Sequence, residues 1–210
     1  MTGRRYSSAV RAEQARATRQ RVIAAAQALF LRRGYTGATV EAIAVRAGCS
    51  VQTVYNTVGG KAAVLKAVYD TMMAGDIEPV AILDRPAAHA MRAASDPRTA
   101  LALYAGMAHD MVRRILPLLP ILLSEGAAGD RDVRAFIDTT EAERATGTRA
   151  VAEGLQERFG LRVGVEEAAD VLWTLTAPEV VLRLVHRRGW TLERYERWLA
   201  EAMADAVLPR

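Results

Sequence analysis

The chain has a single cysteine, Cys49, in 210 residues. One thiol cannot close an intrachain disulfide, so the fold must rest on packing, and a reducing cytoplasm is the expected setting. Long apolar runs are also missing. The longest candidate, Ile115 to Leu123, has nine residues and contains Pro117 and Pro120. It falls well short of the roughly 20 residues a bilayer helix needs, so no membrane partner is expected. No apolar stretch follows the basic start of the chain, so no secretory leader is expected. Histidine is scarce: His89, His109 and His186 lie far apart, with no paired-ligand spacing. Neither a glycine-rich phosphate loop nor a Gly-X-Ser-X-Gly elbow occurs. These absences weigh against an enzyme, and no metal or cofactor is expected.

Acidic residues are nearly absent from one region only. Residues 1–66 hold eleven Lys+Arg against two acids, Glu13 and Glu41, a net of +9; the remaining 144 residues have a net of −5. A basic head on an acidic body suggests that the head meets a polyanion, although a solvated basic surface has the same composition.

Strand-like alternation is almost absent, alanine is abundant, and apolar residues recur at three- and four-residue steps. The expected fold class is all-α. The first helix is expected over Ala12 to Arg33, with Gly34 as its stop. Thr39 is a candidate N-cap for a short second helix whose inner face is Val40, Ile43, Ala44 and Ala47, ending at Gly48. Ser50 caps a third, with Val51, Val54 and Tyr55, stopped by Gly59-Gly60. A fourth begins near Lys61 and carries Val64, Leu65, Val68, Tyr69 and Met72. Ala74 to Ser95 reads as a linker. Asp96-Pro97 starts a helix to Leu116, and a short apolar segment follows to Glu125. Asp130 begins a long helix to Phe159. Further helices are expected from Glu166 to the break at Pro178, from there to Arg188, and after Thr191 to the end.

Thr39 to Val58 has the spacing of a helix-turn-helix, with Gly48 in the turn. In such a pair the first helix crosses the DNA backbone and the second enters the major groove. Val40, Ile43, Ala44, Val51 and Val54 would form the shared core. Gln52, Thr53 and Asn56 would face outward, as short hydrogen-bonding side chains suited to base edges. A plain helical hairpin shares the spacing; the basic excess is what favours DNA.

The run Thr18-Arg19-Gln20-Arg21-Val22-Ile23-Ala24-Ala25-Ala26, with Leu29-Phe30, Gly34-Tyr35, Thr39-Val40, Ile43-Ala44, Ala47-Gly48, Ser50, Val54-Tyr55 and Lys61, resembles the N-terminal domain of the tetracycline-repressor (TetR) family. The resemblance covers about residues 15–66. It departs at Thr57-Val58, where that family usually has His-Phe. Near the C-terminus, Ala168 to Trp173, Ala177-Pro178-Glu179 and Gly189-Trp190-Thr191 through Trp198-Leu199 resemble an actinobacterial-type ligand-binding domain.

The resemblance implies a helix-turn-helix domain over residues 1–60, and a larger helical effector-binding and dimerisation domain over 61–210. It implies a DNA-contact set of Thr39, Ser50, Gln52, Thr53, Tyr55, Asn56, Thr57 and Lys61. In that set Thr39, Tyr55 and Lys61 would meet phosphates and Gln52, Thr53 and Asn56 would meet bases. An N-terminal arm with Arg4, Arg5 and Arg11 would reach a neighbouring groove. Glu166 to Pro178 and Thr191 to Val207 would pair across a twofold axis in a homodimer, with Trp173, Trp190, Tyr195 and Trp198 as core or interface. The middle helices would hold a small-molecule effector. Its candidate contacts are Leu103, Met107, Met111, Leu119, Leu122, Leu123, Phe136, Thr140, Glu143 and Trp173. The implied function is a dimeric, ligand-released repressor of a palindromic double-stranded DNA operator. The alternative is an architectural DNA binder without sequence preference.

Overall fold

A sequence with helical periodicity and no strand pattern can satisfy its backbone only within helices. Accordingly, the computed structural model contains no strand among the residues it describes, which are 3–76, 78, 80–128 and 130–209, with the side chains of 3–11 and 126–128 outside that description. The helices are α1 (Gly3–Gly37), α2 (Val40–Ala47), α3 (Val51–Thr57), α4 (Lys61–Ala74), α5 (Pro86–Ala93), α6 (Pro97–Ile115), α7 (Leu119–Ala128), α8 (Arg131–Phe159), α9 (Val165–Leu175), α10 (Pro178–Val181) and α11 (Leu192–Val207). The chain divides into two compact units. One comprises Met1–Ile77 and Pro117–Phe136, the other Glu78–Leu116 and Ile137–Arg210. No helix among the described residues is long and apolar enough to cross a membrane.

In the first unit α1 supplies the stripe Val22, Ile23, Ala26, Leu29 and Phe30, all buried. It packs on α2, α3 and α4, where Ile43, Val54, Val64, Leu65 and Val68 are also buried. Each such large side chain contributes about 1.5–3 kcal/mol of burial, an upper range because the unfolded chain is itself partly compact. The helix is longer than its apolar stripe suggested. Its backbone is helical from Gly3 to Gly37, broken only at Gly34, where φ is 69°. That left-handed value is open to glycine at little cost. Beyond the break the Tyr35 ring stacks on Phe30 at 5.8 Å. In α7, Leu119 and Leu122 are buried. At the start of α8, Phe136 meets the edge of Tyr69 at 5.4 Å.

In the second unit α6 and α11 form the main pairing. Tyr195, Leu199 and Met203 are fully buried on α11, with Leu101 on α6 and Leu172 on α9. The segment expected to be a linker is largely structured. It holds a 3₁₀ turn, Ile82–Asp84, and then α5, which buries Ala88 and Met91. Pro86 looked like loop punctuation, but it occupies the first turn of α5, where a missing N–H costs nothing. Pro178 plays the same part in α10, which passes into a π-helical stretch, Leu182–Arg187.

Local capping fixes many of the helix starts. Asp96 accepts from Thr99 N, Thr191 from Arg194 N, and Asp130 from Asp132 N and Val133 N. Helix ends are closed differently, by arginines from distant elements. Arg158 donates to the Ala94 carbonyl at the end of α5, Arg144 to Trp173 O in the last turn of α9, and Arg162 to Ala206 O near the end of α11. A guanidinium satisfies orphan carbonyls and complements the negative end of the helix dipole.

Candidate nucleic-acid interface

The N-terminal unit builds a helix pair from its caps. Thr39 Oγ1 accepts from Ala42 N at 3.1 Å and starts α2. The Glu41 carboxyl is held below its usual range by backbone hydrogen bonding and by the Thr39 hydroxyl. At the far end Gly48 turns left-handed, with φ 65°, and Cys49 N returns to Ala44 O at 3.0 Å. Two residues after Gly48, Ser50 Oγ accepts from Thr53 N at 3.0 Å and starts α3. Val40, Ile43, Ala44, Ala47 and Val54 are buried and hold the pair together, while Val51 stays half-buried at the seam. Gly59, at φ 119°, lets the chain enter α4, and a Cβ there would stand 2.9 Å from Ala63 Cβ.

The outer surface of α3 is polar. Gln52 and Asn56 are exposed, and the Tyr55 ring is 50% exposed. Gln52 Nε2 donates to Asn56 Oδ1 at 2.8 Å, joining two amides one turn apart. Thr53 is half-buried, and its hydroxyl is paired with that of Ser50 at 2.8 Å. Thr57 and Val58, where the sequence departs from the pattern it resembles, are both half-buried.

Two arginines to which the sequence reading gave no role of their own have structural partners. Arg19 Nη1 donates to Thr57 O at 3.0 Å, and Arg21 Nε to Ala47 O at 3.2 Å. These carbonyls close α3 and α2, so α1 grips both helices of the pair by their C-terminal ends. The partners lie 38 and 26 residues away, and no local pattern announces such contacts. Lys61, at the start of α4, has its Nζ 4.2 Å from the centre of the Tyr35 ring and 3.5 Å from Thr36 O. Desolvation lowers its pKa, opposed by Glu125 and Asp130. The Tyr35 phenol is pushed up to about 12 by burial and by Asp130, Asp132 and Glu125. The side chains of Arg4, Arg5 and Arg11 lie outside the described residues.

The expected effector contacts fall in both units. Leu119, Leu122, Leu123 and Phe136 belong to the first; Leu103, Met107, Met111, Thr140, Glu143 and Trp173 belong to the second. Leu103, Leu123 and Glu143 are exposed, whereas Met107 and Thr140 are buried. Around Trp173 the second unit concentrates polar groups that hydrophobic periodicity did not reveal. The Trp173 Nε1 is buried with no hydrogen-bond acceptor. The Arg144 guanidinium lies 5.3 Å from that ring and is held by Glu141 at 2.5 Å. Burial pushes the Tyr104 phenol up to about 12 despite the opposing influence of Arg144 and Thr176. On α6, His109 Nδ1 is hydrogen-bonded to Glu196 Oε2 of α11.

Residues 22–68 match the family model described as bacterial regulatory proteins, tetR family. No curated protein sequence matches the chain. Among solved structures, a putative TetR-family transcriptional regulator from Mesorhizobium loti MAFF303099 is 20% identical with a TM-score of 0.66, covering 93% of this chain and 98% of that one. The fatty acid degradation regulator FadR from Bacillus halodurans is 18% identical with a TM-score of 0.68, covering 89% of this chain and 94% of that one. A structure of SmeT in complex with triclosan is 19% identical with a TM-score of 0.65, covering 92% of each chain. At these identities the structural likeness establishes the fold.

Proposed function

With a head of the tetR family of bacterial regulatory proteins as the premise, we propose that the chain is a ligand-responsive transcription regulator that binds a palindromic DNA operator as a homodimer. The observation that carries this is the α2–α3 pair. It has two capped helices about a left-handed Gly48, and the second helix presents Gln52, Tyr55 and Asn56 outward from a head of net charge +9. Thr39, Tyr55 and Lys61 take the phosphate roles, while Gln52, Thr53 and Asn56 read bases. Ser50 and Thr57 complete the contact set at the two ends of α3.

Residues 1–60 act as the DNA-reading module and 61–210 as the sensing and dimerising one. Two modules one helical turn apart, roughly 34 Å, would read both halves of a palindrome. Support for dimerisation comes from α9 and α11, which pack on each other. Trp173, Trp190 and Trp198 are only half-buried within the single chain. Support for an effector comes from the Trp173 Nε1–H, a buried donor with no acceptor beside a guanidinium. Burying such a group unpaired costs about 1–3 kcal/mol, which a ligand acceptor would recover. The effector, by favouring the DNA-free form by about 1–3 kcal/mol of coupling, releases the operator.

Selection of bound duplexes from a random pool tests the regulator reading. One palindrome should emerge, preferred about 10³-fold or more over random DNA. A flat pool would leave the architectural alternative. Titrating that operator with and without a saturating effector tests the sensor, and equal affinities would refute it.

A further inference from the structure

Granted the DNA-binding reading of the head, we propose that α3 reads adenine–thymine pairs through a coupled amide pair, Gln52 with Asn56, assisted by the methyl group of Thr53. The helix Val51–Thr57 contains no lysine and no arginine. The commonest contact to guanine, a cation donating to both O6 and N7, is therefore unavailable from its surface. Beside the Tyr55 ring, α3 exposes two side-chain amides, already joined to each other at 2.8 Å.

That bond decides what each amide can still offer. Gln52 spends one N–H and Asn56 one lone pair, which leaves the Gln52 Oε1 acceptor beside the Asn56 Nδ2 donors. Reversing which amide donates leaves the same complement, one acceptor next to one donor. The major-groove edge of adenine is its counterpart, with the N7 acceptor beside the N6 donor. Guanine sets two acceptors side by side, and meeting both with the remaining Gln52 N–H and the Asn56 Nδ2 would leave the Gln52 Oε1 acceptor unpaired. Joining the amides beforehand also reduces the rotamer freedom lost on binding. Thr53, the neighbour of Gln52 on α3, favours the same base pair. Its hydroxyl is paired with that of Ser50 at 2.8 Å, which holds the side chain in place and leaves its methyl group as an apolar surface beside the amides. A threonine methyl complements the C5-methyl of thymine.

The test uses the full chain and a pool of random duplexes, followed by single-base scanning of the selected site. The positions read by α3 are those whose preference changes in Gln52→Ala or Asn56→Ala. At these positions A·T pairs should be enriched, and each change to G·C should weaken binding roughly tenfold. Replacing the contacted thymine by uracil should weaken binding by a smaller factor. Gln52→Glu, which keeps the side-chain shape and removes the amide donors, should shift the preference at its position from adenine to cytosine. Thermal unfolding of each variant checks that it is folded. A G·C-rich core at these positions would overturn the proposal, as would a site whose preferences are unchanged in both alanine variants. A pool with no preference at all would instead remove the regulator reading on which the proposal stands.

Discussion

The two compact units handle their polar side chains in opposite ways. In the N-terminal unit the hydrogen-bonding groups offered to a partner stand at the surface of a seven-residue helix: Gln52, Asn56 and the Tyr55 phenol. In the C-terminal unit they sit in the interior, as with Tyr104, Tyr195, Arg144 and the Trp173 indole. A surface set suits a large, hydrated polyanion, which supplies its own partners on contact. An interior set has already lost its water, so each member needs an internal partner or an incoming one. Both units nevertheless stop helices with arginines from elsewhere in the chain: Arg19 and Arg21 in one, Arg144, Arg158 and Arg162 in the other.

The contrast can be pressed hardest in the C-terminal core. Leu199 is fully buried in α11, and Leu199→Ala should cost about 3 kcal/mol of stability, the middle of the range for such truncations. Urea unfolding measures it, and the folded fraction should bind non-operator DNA as before. If DNA affinity fell along with stability, the units would not be separable in function. Arg144→Met comes next. It removes a mostly buried guanidinium from the Trp173 carbonyl and from Glu141, and should destabilise by about 2 kcal/mol. An unchanged unfolding midpoint would show that the interior cluster contributes nothing to stability.

A smaller effect is expected on the surface of the N-terminal unit. Lys61→Ala should weaken binding to every sequence alike and lower the salt-dependence slope by about one. A loss confined to one operator would instead make Lys61 a base reader. Smallest is a pH effect at a cap. The Asp96 carboxyl is held below its usual range by Thr99, through its hydroxyl and its backbone N–H, and by Arg98 N. A lowered folded-state pKa adds stability that is present above the ordinary aspartate value and is lost as pH falls through the folded one. Asp96→Asn still caps the helix but cannot titrate, so melting temperature measured against pH should fall less steeply on the acid side. An identical acid limb would show that this cap does not contribute.

How far the sequence reached depended on how local each interaction is. The caps Thr39, Ser50, Asp96, Asp130 and Thr191 were legible because each bonds to a backbone N–H two or three residues ahead. The inner face of α2 was legible because helical period and burial coincide there. The segment from Ala74 to Ser95 was misread because α5 has only eight residues and an alanine-rich face, and alanine carries little hydrophobic signal. The expected effector contacts fall in both units, and apolar periodicity marks burial without saying which core a residue joins.

Composition and spacing by themselves determined an all-helical chain, a basic N-terminal unit, and a helix pair with its caps and its turn at Gly48. All of these depend on neighbours within about one helical turn. Tertiary structure alone decided where the long cationic side chains end. Arg19 reaches Thr57, Arg21 reaches Ala47, Lys61 lies over Tyr35 and Arg144 closes on Trp173. A flexible side chain takes its partner from whatever the fold brings near, and helix-end carbonyls left without an intrahelical donor are ready acceptors for it.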